Sequence, residues 1–235
     1  MRRLFLLFCL SLIPVAALAG TLEWTPGGPH GGAVTVIAVA PSEPDVVFAG
    51  TREGHVFRSA NAGESWELVG FNVDGAPVER IFVSPFDANR VFVKTPNGLY
   101  RSSNRGFTFL PRLERFDAVA MHPWDPSILI AGTDLRSTDA GITWQPAQGA
   151  GFADTRAIAF DAVDASVVYA AGAVASGGIV MARSNDGGQT WTELPREPRA
   201  SLDWISRITT HPERSGTVFA SNDWLTLRSD DYGQT

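Results

Sequence analysis

Residues 136–144 read RSTDAGITW, and four other stretches repeat the pattern. They are RSANAGESW at 58–66, RSSNRGFTF at 101–109, RSNDGGQTW at 183–191 and RSDDYGQT at 228–235. The common form is R-S-x-[D/N]-x-G-x-[T/S]-[W/F]. Successive copies start 43, 35, 47 and 45 residues apart. A period of that size suits a unit of four short strands, and is long for a leucine-rich repeat.

A second pattern runs in phase with the first. Ahead of each copy, an apolar run ends in a turn and a second apolar run follows. Ile37-Ala38-Val39-Ala40-Pro41 leads to Val46-Val47-Phe48-Ala49-Gly50-Thr51, and Ile81-Phe82-Val83-Ser84-Pro85 leads to Val91-Phe92-Val93. The same order recurs from Ala118, Ile158 and Ile208. Short β-branched and aromatic runs bounded by Pro, Gly, Asp and Asn are strand signals. Each unit therefore reads as four strands: the run before the turn, the run after it, a third such as His55–Ser59, and a fourth such as Ser65–Val69 beyond the repeated motif. Strands one and two are apolar on both faces, as sheets sandwiched between neighbours require.

The expected fold is all-β: a β-propeller of four-stranded antiparallel blades, about five of them. Blades are expected near 33–75, 76–112, 113–150, 151–198 and 199–235, within a domain spanning 20–235. The last motif stops at Thr235, where the others continue with Trp or Phe, so a piece of a longer propeller is the first expectation. Closure of five blades, with Trp24 supplying the missing strand, is the second.

Within each motif the residue types have a structural use. Asn61, Asn104, Asp139, Asp186 and Asp231 can accept hydrogen bonds from backbone N–H groups further along the turn. Gly63, Gly106, Gly141, Gly188 and Gly233 can take positive φ. Trp66, Phe109, Trp144 and Trp191 can cover the hairpin. Repetition in every unit favours this reading over metal or ligand binding.

Composition bounds the rest. Apolar residues are 44% and charged residues 19%, a globular balance. Arg2 and Arg3, an apolar run from Leu4 to Val15 and Ala17-Leu18-Ala19 read as a signal peptide over 1–19. Export to the periplasm or beyond the cell is expected, with no membrane span after cleavage. Removing the leader leaves 17 basic against 25 acidic residues, a formal charge of −8, and takes away the one cysteine, Cys9. The acidic balance argues against nucleic acid as a partner. The four histidines are scattered, so neither a metal site nor a cofactor is expected.

The motifs resemble the Asp-box (BNR) repeat, S-x-D-x-G-x-T-W. That repeat is found in sialidases, xyloglucan-cleaving glycoside hydrolases, the luminal propeller of sortilin-type receptors and photosystem II assembly factors. The resemblance covers essentially the whole chain beyond the leader. It implies a propeller and leaves the activity open, because these families differ in function.

In a propeller, the loops joining strands one and two, and three and four, lie on one face with the boxes. The other loops surround the channel on the opposite face, where ligands are expected. Glu53, His55, Asp74, Glu79, Glu114, Asp117, Asp134, Asp154, Asp203, Trp204, Asp223 and Trp224 fall in or near them. Counting five back from the first turn of each blade gives Arg80, Arg156 and Arg207, which could converge on the channel and grip a carboxylate or phosphate. Pairing with nearby acids is their alternative use. Trp204 and Trp224 could be partner anchors, sugar-stacking platforms or core residues.

The resemblance to sialidases implies an arginine triad and a Tyr nucleophile. The arginines echo it, but Tyr100 and Tyr169 fall in strands and Tyr232 inside a box. The xyloglucan-cleaving enzymes have a V-Y-A-R-T-D-x-G-G-like segment with a catalytic Asp. Here Val47-Phe48-Ala49-Gly50-Thr51-Arg52-Glu53-Gly54 stands instead, which makes Glu53 the sole catalytic candidate. The expected function is a binding or assembly module for a protein or carbohydrate on the face opposite the boxes. A xyloglucanase-like hydrolase with an incomplete site is the alternative, and a sialidase a weaker one.

Overall fold

The computed structural model of the chain describes residues 28–30, 32–72, 75–114, 116, 118–195 and 205–235. The expected leader, Trp24, Asp74, Asp117, Asp203 and Trp204 lie outside the described residues.

All regular structure among the described residues is β, in five sheets. Sheet one has β1 (Val34–Ala40), β2 (Glu43–Thr51), β3 (His55–Ser59) and β4 (Glu67–Asn72). Sheet two has β5 (Arg80–Ser84), β6 (Asp87–Thr95), β7 (Gly98–Ser102) and β8 (Leu110–Glu114). Sheet three has β9 (Val119–Met121), β10 (Leu129–Ala131), β11 (Leu135–Ser137) and β12 (Gln145–Pro146). Sheet four has β13 (Phe152–Phe160), β14 (Val168–Val174), β15 (Ile179–Ser184) and β16 (Thr192–Glu193). Sheet five has β17 (Arg207–Thr210), β18 (Val218–Ser221) and β19 (Thr226–Ser229). Strand order follows the chain in every sheet and all pairs are antiparallel. This is the blade pattern of a propeller, with the first strand of each sheet innermost.

The sheets stack through four apolar layers, one between each consecutive pair. Phe48, Val56 and Val69 meet Ile81, Val91 and Val93 between sheets one and two. Phe92 and Leu99 meet Val119 and Leu129 between two and three. Ile130 and Ala120 meet Ile158 and Val168 between three and four. Tyr169, Ala171 and Leu194 meet Ile205, Ile208 and Val218 between four and five. The layers explain why strands one and two are apolar on both faces: alternate residues serve two neighbours. Each fully buried Phe or Val contributes about 1.5–3 kcal/mol. Ile81 is 8% exposed against sheet one, while Ile37, its counterpart in β1, is 63% exposed. No sheet among the described residues packs on that side.

One boundary differs from the sequence reading. The fourth strand of sheet one starts at Glu67, not Ser65. The Ser65 N–H is held by Asn61 Oδ1 at 2.9 Å, so the motif keeps Ser65 in its turn. No helix among the described residues is long and apolar enough to cross a membrane.

Candidate functional site

The boxes define one face. In each, the Ser hydroxyl oxygen accepts the Gly N–H two residues beyond the Asn or Asp, at 2.8–2.9 Å. The hydroxyl donates to the Asn or Asp Oδ1. That Oδ1 also accepts the N–H four residues on: Ser65, Thr108, Thr143, Thr190 and Thr235. Two successive residues take positive φ, as at Ala62 (54°) and Gly63 (93°). With Glu64 N–H donating to Asn61 C=O at 3.1 Å, these match a type I′ turn.

The first of those two residues ties the box to its own sheet. Its N–H donates to a carbonyl in the second strand's first residues or just ahead of them: Ala62 to Asp45, Arg105 to Asn89, Ala140 to Ser127, Gly187 to Ser166 and Tyr232 to Gly216. The glycine ties it to the neighbouring sheet. A Cβ on Gly106 would meet Phe48 and Val69, one on Gly141 would meet Phe92, one on Gly188 Ile130 and one on Gly233 Leu194. Phe109, Trp144 and Trp191 pack half-buried on the same apolar layers. The motif arginine spans the next gap. Arg136 Nε donates to Gly187 C=O at 3.1 Å, Arg183 Nη1 to Tyr232 C=O at 2.9 Å, and Arg58 lies over the Phe107 ring.

The box acids are fully engaged in this work. The Thr143 hydroxyl and then its N–H hold the Asp139 carboxyl down to about 2. Bonds from Ser229 and Thr235 push Asp231 lower still. Two histidines have a comparable turn role. His122 Nδ1 accepts the N–H groups of Trp124 and Asp125, and His211 Nδ1 accepts that of Glu213. Burial shifts His122 down, toward the neutral form that accepts. Asp161 does the same job in sheet four for Val163 and Asp164.

The opposite face carries the loops after strands two and four. Glu53 sits in the loop between β2 and β3, exposed, and its Oε2 accepts the Ala33 N–H at 3.1 Å. Gly32 is closely applied to it: a Cβ there would lie 2.5 Å from Oε2. Hydrogen bonding from its own N–H, then from Thr51 and Ala33, holds its carboxyl below the usual range. Such a group is ionised at neutral pH and has no proton to give a leaving group. A glycosidase pair needs a second carboxyl about 5–9.5 Å away. Glu53 ties the start of β1 to the β2–β3 loop.

The three arginines separate. Arg80 pairs with Lys94, and Arg207 with Ser221, at matching positions of β5–β6 and β17–β18. Arg156 falls in a β-bulge, between the Thr155–Gly172 and Ala157–Ala171 pairs. Asp161 matches His211, since each N–H closes the same turn onto Val167 and Thr217. The residue equivalent to Arg207 is therefore Ala157. The count along the chain set Asp161 against Pro212 when its match is His211, and so fell one residue short. Arg156 Nε bonds Asp154 Oδ2 at 3.0 Å.

Arg80 and Arg207 have neither an ion pair nor a hydrogen bond from their side chains among the described residues. Arg80 is half-buried, and burial first, then the charge of Arg207, shifts its guanidinium down; Glu79 opposes this. Glu79 itself is ion-paired to the buried Lys94. Lys94 is the only lysine in the chain, a signal the sequence reading passed over.

Trp224 stands at the same end of sheet five as Arg207, three residues past Ser221. It is 92% exposed. Asn222 Oδ1 accepts the N–H groups of Trp224 and Leu225 at 2.9 and 2.8 Å, and Asn222 N–H donates to Leu225 C=O. The loop is a locked turn that presents an indole to solvent.

The BNR/Asp-box repeat family matches residues 135–146. A xyloglucanase of Paenibacillus sp. is 29% identical over 215 residues, 82% of this chain and 18% of that protein. A probable oligoxyloglucan-reducing end-specific xyloglucanase of Neosartorya fischeri is 26% identical, over 86% of this chain and 29% of that protein. The chain thus spans under a third of the length of these curated relatives. The crystal structure of an ancestral GH74 enzyme superposes with a TM-score of 0.66 at 23% identity, over 83% of this chain and 28% of that one. The matched motif thus recurs in all five turns, and the likeness to the solved structure is one of propeller fold.

Proposed function

We propose that the chain is an exported propeller module that binds a glycan on the face opposite the boxes. The observation that carries this reading is Trp224. A Trp exposed to 92% on a loop locked by Asn222 stabilises no core. Indole faces suit the apolar face of a pyranose ring, and exposed aromatics with a polar rim are common binding anchors. The names of the curated relatives, xyloglucanases, favour a polysaccharide over a protein partner. The five sheets then serve as blades near 33–75, 76–112, 113–150, 151–198 and 199–235, behind a leader over 1–19.

Affinity electrophoresis of the full chain through gels containing xyloglucan tests this. Retardation that Trp224→Ala abolishes supports it. Equal mobility with and without the polysaccharide overturns it. A second reading, a xyloglucanase-like hydrolase, rests on the same relatives. It requires release of reducing ends that Glu53→Gln eliminates.

A further inference from the structure

We propose that the chain self-associates head to tail, the open side of sheet five in one copy packing on the open side of sheet one in a second copy. The contact is independent of the glycan reading above.

Sheet one turns apolar side chains to water on the side away from sheet two. Ile37, Val39 and Leu68 are 63%, 51% and 58% exposed. Gly28 adjoins Trp66 on this sheet and leaves those three open. The internal boundaries show what such a side receives. Phe48, Phe92, Ile130 and Tyr169 hold one ladder position, each paired with its motif arginine, and all four are fully buried. Three of them fit against the next sheet's box glycine: Phe48 at Gly106, Phe92 at Gly141 and Ile130 at Gly188. Phe219 holds the same position in sheet five, paired with Arg228, and is half-buried. Gly63 is the box glycine of sheet one, and a Cβ there would meet only Trp66 of its own box within 4 Å. Ala62 beside it is exposed, while its equivalent Ala140 is 4% exposed inside a layer. Sheet five thus carries the knob, and sheet one the matching hollow, of the contact that joins every consecutive pair.

Charge fixes the direction. Within the stack the motif arginine reaches the next box: Arg58 lies over Phe107, Arg136 donates to Gly187 C=O and Arg183 to Tyr232 C=O. Arg228 of sheet five is exposed and holds Asp230 of its own box. The box-one residue that matches Phe107 is Glu64, also exposed. A box one placed on sheet five therefore brings a carboxylate to Arg228. Two copies of sheet one set against each other would oppose Glu64 to Glu64, and two of sheet five Arg228 to Arg228; like charges disfavour both. Head-to-tail packing joins opposite charges, seats Phe219 at Gly63 and removes Ile37 and Val39 from water. The chain's own sheet five does not do this, since Ile37 and Val39 stay exposed.

Sedimentation equilibrium of the full chain over a range of micromolar concentrations tests the proposal. A mass above that of one chain is expected. Ile37→Glu and Phe219→Glu should each return the mass to one chain while keeping the parent's circular dichroism. Ile37→Glu retains the sheet-five side and Phe219→Glu the sheet-one side, so their mixture should form a 1:1 complex through one contact. Glu64→Arg and Arg228→Glu should each weaken association about tenfold, and the double variant should recover it. Both charge positions are exposed, so these variants test the same contact even where Phe219→Glu does not fold. A one-chain mass for the parent overturns the proposal, whatever else covers sheet one. Association that survives Ile37→Glu, folded single variants that stay apart when mixed, or no recovery in the double charge variant also overturns it.

Discussion

Replacing Gly188 with Ala should destabilise the protein by about 2–4 kcal/mol, and the reason can be split in two. Gly188 has φ +86°, where an L side chain costs about 1–2 kcal/mol. Fewer unfolded conformations offset roughly 0.4–1 kcal/mol of that. The added Cβ would also lie 2.3 Å from Ile130 Cδ1 and 3.1 Å from its Cγ1. Ile130 is fully buried in the layer between sheets three and four, so it has little room to turn away. Overpacking of this kind costs about 1–3 kcal/mol. Gly177 is the control. Its φ is +89° and a Cβ there meets nothing within 4 Å, so Gly177→Ala should carry only the backbone cost. Urea unfolding of the two variants measures the difference, with the slope checked for constancy. Adding Ile130→Val, which removes the clashing methyl, should restore about 1 kcal/mol to Gly188→Ala while destabilising the parent. Equal destabilisation by the two glycine changes, with no rescue, would refute the idea that the box glycine is an inter-sheet contact.

Ser184→Ala removes the buried acceptor of the Gly188 and Asp186 N–H groups, and thermal unfolding should show a loss of about 1–3 kcal/mol. Acid should destabilise the protein through the boxes. The Asp139 carboxyl is held down to about 2, so its contribution is complete above the unfolded value near 3.9 and fades as pH falls toward 2. Urea midpoints between pH 5 and 2 should fall less steeply in Asp139→Asn, whose amide can take the place that Asn61 and Asn104 fill in other boxes. Trp224→Ala should leave stability within about 0.5 kcal/mol while removing glycan retardation.

The architecture was legible because its signals are periodic. Five motifs in phase with paired apolar runs specify a repeated four-strand unit, and Arg58 through Ser229 mark it without gaps. What escaped is what periodicity does not encode. The motif Ser looks like a filler, yet it accepts the Gly N–H and holds the acid in every box. The residue before each Gly is Ala62, Arg105, Ala140, Gly187 or Tyr232, so its positive φ leaves no compositional trace. Arg156 looked equivalent to Arg207 because Asp161 was set against Pro212, whereas the turn hydrogen bonds match it to His211. The loop face was locatable from topology alone. The engagement of Glu53 by Ala33, and of Glu79 by Lys94, joins residues 15–20 apart in sequence and required the fold.

Hydrogen exchange across the whole chain, with and without saturating glycan, probes both faces at once. The account requires slowed exchange at 222–225, with the box turns at 137–143 and 184–190 unchanged. Protection confined to the box turns would contradict it.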